Sequence, residues 1–476
     1  MEYGIFSLFP SLVAIVLAIL TRQVMVSLLA GVFIGKLVLR DGALFVSLTD
    51  TLDAIVQVFS EGWTTKTILF SFLVGSIVTL IQASGGVEGF VHYLSEKKTV
   101  IRNRRGAMFL GYAVGTFLFI ESSISSLVAG TVTRPLSDKY QISREKLAFI
   151  CDSTSAPVCS LFPLNAWGAV LIGLIAAQIS SGTITGNPVA ILIESVFYNF
   201  YSILILCLVL IIILSGRDFG PMKKAETRAL IQGKLLADGA KPLLSDQAAN
   251  MRTKSGVKPN LINMMLPLGS LLLFMIGSLL VTGNGKITEG SGSTSVYWAV
   301  VGTILVCAIL YLSQRLMTLS EFIDYVYRGA ESMIPVASIL IFAFAIGNVA
   351  NELEAGKYMA SLVQSSHLTG GLLPLFVFLI AAVTAFSTGS SWATFAIMMP
   401  IAIQMAAGVE TNLHACIGAV ISGGVMGDHC SPISDTTIVS SMAAACDHVD
   451  HVKTQIPYAL LAGSIAGMLF LLAGFL

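Results

Sequence analysis

Residues 427–437, GDHCSPISDTT, constrain the fold of this chain more than any other stretch. They place two carboxylates, Asp428 and Asp435, among a histidine, a cysteine, a proline and several hydroxyls, directly after the apolar run 415–426. In hydrocarbon, unsatisfied backbone groups and ionisable side chains are costly, and they are tolerated mainly where they face a protein-lined or water-filled cavity. The stretch therefore predicts a functional site inside a membrane, with the rest of the chain as its scaffold.

The composition of the chain indicates a membrane protein. Of its 476 residues, 55% are hydrophobic and only 11% are charged, whereas about 25% are charged in a soluble domain. The apolar runs are long enough for about ten to a dozen helical elements, at about 20 residues per crossing, and too uniformly apolar for barrel strands. We predict an all-α polytopic membrane protein that contacts the lipid bilayer and has no nucleic-acid partner.

Four apolar segments are interrupted by polar residues, and they form two matched pairs. Segments 106–133 and 370–407 have serine-rich centres, whereas 147–179 and 413–445 are broken by polar stretches that contain proline. The pairs follow each other in the same order in both parts of the chain. One break alone would indicate a kink that neighbouring helices repair, but four breaks in matched pairs indicate the midplane site of a secondary transporter.

We therefore predict two inverted repeats joined by a polar linker, at residues 1–214, 215–258 and 259–476. Each repeat is expected to contain a re-entrant hairpin (106–133 or 370–407) followed by a broken transmembrane helix. If the hairpins return to their own side, 22 of the 27 basic residues fall on one side of the membrane. By the positive-inside rule that side is the cytoplasm, which places the linker inside and both termini outside.

Oxygen-bearing side chains are expected at the tips of the two hairpins. They are Glu121, Ser122 and Ser123 at the first tip, and Thr388, Ser390 and Ser391 at the second. A hard cation such as sodium prefers oxygen ligands, which an unwound segment supplies as carbonyls and hydroxyls. Serines in membrane helices also satisfy backbone groups or allow close packing, so both roles stay open for these hydroxyls.

Asp152 and Asp428 are the carboxylates that we expect to bind the transported ions. A buried carboxylic acid holds a proton when no cation is bound and releases it when a cation arrives, which is the minimal chemistry of cation/proton exchange. Asp435, followed by Thr436, is a second candidate. The alternative is a capping role near a helix N-terminus, which we expect for one of the three acids but not for both Asp152 and Asp428.

Three further polar features lie near these carboxylates. Asn165, in the first broken helix, is expected to pin the break, or to add an uncharged ligand. His429 and Cys430 adjoin Asp428, but adjacent residues point in different directions, so a transition-metal site is not favoured. The run 447–451, DHVDH, is expected to be a solvated loop, with a cytoplasmic pH sensor as the alternative.

The motifs GDHCSPISDTT (427–437) and CDSTSAPVCSLFPLNAWG (151–168) resemble those of the NhaC-type sodium/proton antiporter family, over nearly the full chain. The resemblance implies a secondary carrier of the ion-transporter superfamily in a prokaryotic inner membrane, with paired inverted repeats and a homodimer as one expected assembly. The residues to which a binding role is carried over are Asp152, Ser153, Thr154, Asn165, Asp428, His429, Ser431, Asp435 and Thr436. The family is functionally mixed, so the resemblance transfers fold and site location better than substrate.

We therefore predict Na⁺/H⁺ exchange in which Na⁺ and protons compete for Asp152 and Asp428, with hairpin and break oxygens completing the shell. No cofactor is expected apart from these coupling ions. The alternative is a Na⁺- or H⁺-coupled symporter or exchanger of a small amino acid or carboxylate, because paired helix N-termini suit a carboxylate. An enzyme is not expected, since an intramembrane hydrolase would need a nucleophile with a base, or an aspartyl dyad. A channel would differ by lacking saturation and uphill transport.

Overall fold

The computed structural model describes most of the chain. The described residues are 3–21, 23–96, 103–119, 122–242, 253–286, 290–355, 358, 370–409, 411–432 and 434–475. They form 22 α-helices. Those of the first part are α1 (Phe9–Thr21), α2 (Val24–Leu39), α3 (Leu44–Gln57), α4 (Gly62–Ala83), α5 (Gly86–Glu96), α6 (Arg104–Phe117), α7 (Ser122–Lys139), α8 (Arg144–Ser153), α9 (Ala156–Leu161), α10 (Ala166–Ser180), α11 (Pro188–Val196), α12 (Phe200–Ser215) and α13 (Gly220–Gln232). The others are α14 (Ile262–Thr282), α15 (Gly292–Ser313), α16 (Leu319–Ser332), α17 (Ile334–Glu352), α18 (Leu373–Thr388), α19 (Ser391–Gly408), α20 (Leu413–Cys430), α21 (Asp435–Ala444) and α22 (His448–Gly474).

The described helices have the length and composition of membrane spans. Seven are long and apolar enough to cross a membrane, and two further pairs qualify when each is taken together across a bend. One of these bent pairs is Arg144–Leu161 with Ala166–Ser180, at 41°. Large apolar side chains such as Leu273 and Ile309, both 72% exposed, form an outer surface suited to lipid. The prediction of an all-α polytopic membrane protein with broken helices is confirmed.

Contacts at the start and at the end of α22 define two opposite ends of the helix bundle. Asp447, the residue before α22, accepts a hydrogen bond from the backbone N–H of Lys241 in the linker (2.8 Å). At the other end of α22, a Cβ at Gly474 would lie 1.9 Å from the carbonyl oxygen of Gly371. We call these the linker end and the far end of the bundle. That the linker end is cytoplasmic stays a prediction.

The helices α6 and α7 form a pair that enters and leaves the bundle at the linker end. Near their connection, Ser125 Oγ of α7 donates to the carbonyl of Gly115 in α6 (2.8 Å). At the open end, Arg104 of α6 forms an ion pair with Glu226 of α13. The same Glu226 carboxylate accepts the backbone N–H of Ser143, which follows α7 (2.9 Å). The two helices therefore lie antiparallel, in the segment predicted as the first hairpin.

The helices α18 and α19 form the corresponding pair from the far end. They are joined at Gly389, whose φ of 66° is left-handed and favours glycine. Ser390 then caps α19 by accepting the backbone N–H of Ala393 (3.3 Å). After α19 the chain returns beside its entry point, where Thr411 Oγ1 donates to the Gly370 carbonyl (3.0 Å). How deeply the two pairs enter the membrane, and whether the two halves are inverted copies, stay predictions.

Both broken helices are interrupted at a proline. In the first, Pro157 lies in the first turn of α9, where it has no N–H to donate to the preceding turn, and the 41° bend follows between Leu161 and Ala166. Ser431, at the end of α20, is extended (φ −81°, ψ 129°) because Pro432 disfavours helical geometry in the residue before it. Each break leaves polar backbone and side chains inside the bundle.

Glycines bring α18 and α20 into close contact. A Cβ at Gly427 would lie 2.1 Å from the Ala382 carbonyl oxygen, and one at Gly423 would lie 2.4 Å from that of Phe378. Such distances exclude any side chain, so the two backbones touch as in small-residue interfaces of membrane helices. This contact holds the C-terminal end of α20, which carries Asp428, against the second helix pair.

Candidate functional site

Asp152, in the last turn of α8, is fully buried and surrounded by nitrogen atoms of the second half. Its Oδ2 accepts a hydrogen bond from Gln455 Nε2 (2.7 Å) and lies 3.3 Å from His451 Nε2, both on α22. The Nε2 of His429, on α20, lies 3.8 Å from the same oxygen. A carboxylate of the first half is thus held by side chains of the second.

His429 connects this carboxylate to α12. Its Nδ1 lies 2.7 Å from the Tyr201 hydroxyl, and its Nε2 lies 3.2 Å from Ser153 Oγ. Gln455 Nε2 also donates to the backbone carbonyl of His429 (2.6 Å). All four of these side chains are buried. The imidazole is therefore oriented from both sides by hydrogen-bonding groups.

Asp428, the residue before His429, is buried and tied to the second helix pair. Ser391 Oγ, at the start of α19, donates to Asp428 Oδ2 (2.7 Å). His429, the next residue on α20, contacts Asp152, so Asp428 adjoins the residues around Asp152 through the backbone of α20. We call this group of residues the carboxylate cluster; its members are Asp152, Asp428, His429, His451 and Gln455.

Both carboxylates of the cluster lie in the last turn of a helix. Asp152 is one residue from the end of α8, and Asp428 is two residues from the end of α20. Helix C-termini carry partial negative charge, which disfavours a carboxylate and favours a cation. A capping role requires a helix N-terminus, so it does not account for either residue. Asp435 opens α21, which is the position where the helix dipole suits an acid.

Asn165 uses its amide to pin the first break. Its Oδ1 accepts the backbone N–H of Gly168 and so caps α10 (2.9 Å). Its Nδ2 donates to the carbonyls of Phe119, between α6 and α7, and of Cys159 in α9 (both 2.7 Å). The amide thus joins three elements. These contacts match the structural role, in which Asn165 pins the break.

Several of the predicted hydroxyl ligands are bonded to the backbone of their own helix. Thr154 Oγ1 donates to the Ile150 carbonyl (2.7 Å), and Thr388 Oγ1 donates to the Thr384 carbonyl (2.9 Å). Ser390 is the cap of α19. In this conformation these three residues stabilise helix ends beside the breaks.

Two other predicted residues lie at the second break. Ser431 Oγ donates to the carbonyl of Phe386 in α18 (2.8 Å). Thr436 Oγ1 lies 3.0 Å from Ser434 Oγ, the cap of α21. These contacts link the break to the second helix pair and to α21.

The remaining predictions concern the first tip and Asp435. Ser122 opens α7 and is buried. Glu121 lies outside the described residues, and so do the side chains of Ser123 and Asp435, whose backbones belong to α7 and α21. Their proposed binding roles stay predictions.

Sequence reasoning missed three members of the site: Tyr201, His451 and Gln455. The prediction of a solvated loop at 447–451 was wrong, because α22 begins at His448 and His451 is fully buried. A signal was present, since His451 and Gln455 are four residues apart and therefore share one helix face. Tyr201 lies in a uniformly apolar run and carries no such signal.

Around Asp152, the buried atoms Asp152 Oδ1, His451 Nδ1 and Gln455 Oε1 have no hydrogen-bond partner among the described residues. A buried polar atom left unsatisfied costs about 1–3 kcal/mol. The cluster is therefore a place where a proton, a water molecule or a ligand would be stabilised.

An all-helical membrane bundle with buried carboxylates at helix breaks is the architecture of a secondary transporter. The chain belongs to the Na⁺/H⁺ antiporter family, whose family model matches residues 158–475. A protein of Haemophilus influenzae described as uncharacterized is 34% identical to it, over 99% of this chain and 91% of that protein. The prediction of the family is thus confirmed, and the protein is a transporter rather than an enzyme.

Two further similarities support narrower conclusions, the first because it covers a small part of the chain and the second because its sequence identity is low. The malate-2H⁺/Na⁺-lactate antiporter of Bacillus subtilis is 26% identical over 28% of this chain and 32% of that protein. The YdaH transporter of Alcanivorax borkumensis, whose crystal structure shows an unusual topology, matches with a TM-score of 0.56 and 16% identity. That match covers 90% of this chain and 88% of YdaH, and it shows a shared fold.

Proposed function

We propose that this protein is a Na⁺/H⁺ antiporter in which Na⁺ and protons compete for Asp152 and Asp428. The observation that carries the proposal is the position of both acids at C-terminal helix ends inside one buried cluster. A bare carboxylate there would be penalised by burial and by the helix dipole, so each acid has to hold a proton or a cation. Exchange follows, because one ion must bind as the other leaves.

The two acids have different surroundings, which suggests how occupancy changes the structure. Asp152 is contacted by two histidines and Gln455, which belong to the opposite half. Asp428 receives the Ser391 hydroxyl, a hydrogen bond that is stronger to an ionised carboxylate than to a protonated one. Protonation of Asp428 would therefore loosen the contact between α20 and α19. Sodium binding would alter the same contact, because Asp428 is then ionised.

We place the protein in a prokaryotic inner membrane with the linker end in the cytoplasm and both termini outside. The support is the charge distribution: Arg104, Arg144 and Arg228 lie at the linker end, where they contact α13, α7 and α8. The positive-inside rule assigns such an end to the cytoplasm. Accessibility of cysteines introduced in the linker and near Gly370 to a membrane-impermeant reagent would test this orientation.

The exchange proposal is tested in liposomes with a trapped pH dye. Sodium, lithium and potassium gradients are applied in turn to vesicles that contain wild type, Asp152→Asn or Asp428→Asn. Sodium-driven proton movement is expected in wild type and should be lost in both variants. Asp238→Asn is the matched control, because the Asp238 side chain is 83% exposed in the linker. Absence of movement in wild type, or full movement in both cluster variants, would contradict the proposal.

A second candidate is exchange of a small organic acid or amino acid coupled to Na⁺ or H⁺. It is favoured by the number of nitrogen donors in the cluster, which bare Na⁺ does not need, and by the name of the Bacillus subtilis relative, a malate-2H⁺/Na⁺-lactate antiporter. Counterflow of labelled carboxylates and amino acids separates the two. Solute uptake that requires Na⁺ or H⁺, without sodium-driven proton movement, would favour this second candidate.

A further inference from the structure

Gln455 is held in one orientation by the carboxylate cluster. It is fully buried on α22, and its Nε2 donates both to Asp152 Oδ2 (2.7 Å) and to the His429 carbonyl (2.6 Å). Both contacted atoms are acceptors, so the atom that faces them has to be the amide nitrogen. The amide oxygen, Oε1, therefore points elsewhere, and its position is fixed by the same two hydrogen bonds.

That oxygen and its neighbour on Asp152 have no donor. Gln455 Oε1 and Asp152 Oδ1 are both buried, and neither has a hydrogen-bond partner among the described residues. They belong to two side chains that are in direct contact through the 2.7 Å hydrogen bond, so both oxygens lie beside this contact. Two buried oxygens, one of them on a carboxylate, require a cation or a donor that the described part of the chain does not supply.

We propose that Asp152 Oδ1 and Gln455 Oε1 are ligands of the transported Na⁺, which makes Gln455 a direct determinant of sodium binding. The inference rests on the proposed function for the identity of the ion. Sodium prefers hard oxygen ligands, and an amide oxygen provides one without a second negative charge. One carboxylate and one amide then match a single positive charge. The histidine nitrogens contact the other carboxylate oxygen, Oδ2.

This assignment separates sodium binding from proton binding. A proton needs only the carboxylate of Asp152, whereas Na⁺ needs several oxygens around it. Removing the Gln455 oxygen should therefore weaken Na⁺ binding and leave Asp152 able to take up a proton. The N–H groups of Gln455 hold Asp152 and His429 in place. If Gln455 acted through these groups alone, every variant that loses them should weaken Na⁺ binding, whether or not it keeps an oxygen.

The test is direct binding of ²²Na⁺ to the purified full-length protein at alkaline pH, measured for wild type, Gln455→Met and Gln455→Glu. Gln455→Met removes the oxygen and should weaken Na⁺ binding by at least about 10- to 100-fold, the cost of losing an outer-shell partner at a metal site. Gln455→Glu keeps an oxygen but loses the N–H donors, and because its added negative charge attracts Na⁺ it should bind Na⁺ more tightly than Gln455→Met. Gel filtration and melting temperature verify that each variant is folded.

Gln404→Met is the matched control. Gln404 is also a buried glutamine, but it lies on α19 about thirteen residues beyond Ser391, and its Nε2 donates to Asn351 Oδ1 (2.9 Å). Its substitution should leave ²²Na⁺ binding unchanged. Wild-type binding by Gln455→Met would overturn the inference. Equal weakening in Gln455→Met and Gln455→Glu would also overturn it, because it would assign Gln455 a positioning role through its N–H groups.

The outcomes also separate this inference from the exchange proposal. If wild type binds ²²Na⁺ in a Gln455-dependent way but shows no sodium-driven proton movement in liposomes, the inference stands and the exchange proposal fails. If exchange is present and Gln455→Met binds Na⁺ normally, the exchange proposal stands and the inference fails. Absence of ²²Na⁺ binding in wild type would overturn both.

Discussion

The Oδ2 of Asp152 lies 3.3 Å from the Nε2 of His451, although the two residues are 299 positions apart in the chain. Asp152 lies in the last turn of the first helix of a broken span, and His451 lies in the first turn of the last helix. With Gln455 one turn further on, α22 covers a carboxylate of the other half. Any displacement of one half against the other would therefore change the contacts of this carboxylate.

Replacing His451 with alanine should lower stability by about 1–3 kcal/mol, because it removes a buried partner of a carboxylate. The effect should be smaller in the Asp152→Asn background, since contacting residues are energetically coupled. Melting temperatures of the two single variants and the double variant measure the coupling. His414→Ala is the control, because His414 pairs with the exposed Glu194 at 3.2 Å and such pairs contribute about 0–1 kcal/mol. Strict additivity would contradict the contact.

Replacing Gly427 with alanine should separate α20 from α18. The new Cβ would lie 2.1 Å from the Ala382 carbonyl oxygen, and relief of that overlap should cost about 1–3 kcal/mol or more. Because Asp428 is the next residue, ion exchange should fall as well. Gly269→Ala provides the control, since no atom lies within 4 Å of a Cβ built there. Equal melting temperatures and activities for both variants would contradict the close contact.

Asn165→Asp should test whether Asn165 acts as a pin or as an ion ligand. The carboxylate keeps the cap on α10 but faces the carbonyls of Phe119 and Cys159, which need a donor. We expect a lower melting temperature, by about 1–3 kcal/mol of stability, and no gain in sodium affinity. A stable variant that binds sodium more tightly would instead show that Asn165 is an ion ligand.

Asp447 should contribute an acid-sensitive part of the stability at the linker end. Partial burial opposes its ionisation, but backbone N–H groups of Lys241 and of the first turn of α22 hold the pKa of this carboxyl below its ordinary value. A pKa lowered by folding gives stability that is present above the unfolded pKa of about 4 and lost as the pH falls through the folded pKa.

Asp447→Asn removes this titration while keeping a side chain that caps helices well. The melting temperature of the variant should therefore fall less steeply below about pH 4 than that of wild type. Measurements at closely spaced pH values in one buffer series provide the comparison. Identical acid limbs for the two proteins would show that the linker contact at Asp447 is not the source of the effect.

Much of the fold could be predicted from local features of the sequence. Pro157 and Pro432 interrupt their helices through steric effects on neighbouring residues, so the breaks around Asp152 and Asp428 were recognisable without any tertiary information. The number and length of apolar runs fixed the class of protein in the same way. These features depend only on residues adjacent in the chain.

The partners of the carboxylates could not be predicted in this way. The contacts of Asp152 with His451 and Gln455, and of His429 with Tyr201, depend on how helices more than 200 residues apart pack together. The sequence also left open whether the acids cap helices, because the choice depends on which side of each break the helix lies. The structure places Asp152 and Asp428 before their breaks, at helix C-termini.

The proposed exchange requires Na⁺ and protons to occupy the same carboxylates in turn. It is tested most directly by adding Na⁺ to the purified protein in weakly buffered detergent solution and recording proton release with a pH dye. Wild type and the Asp238→Asn control should release protons in proportion to bound Na⁺, while Asp152→Asn and Asp428→Asn should release fewer. Saturable Na⁺ binding to wild type without any proton release would contradict the proposed exchange.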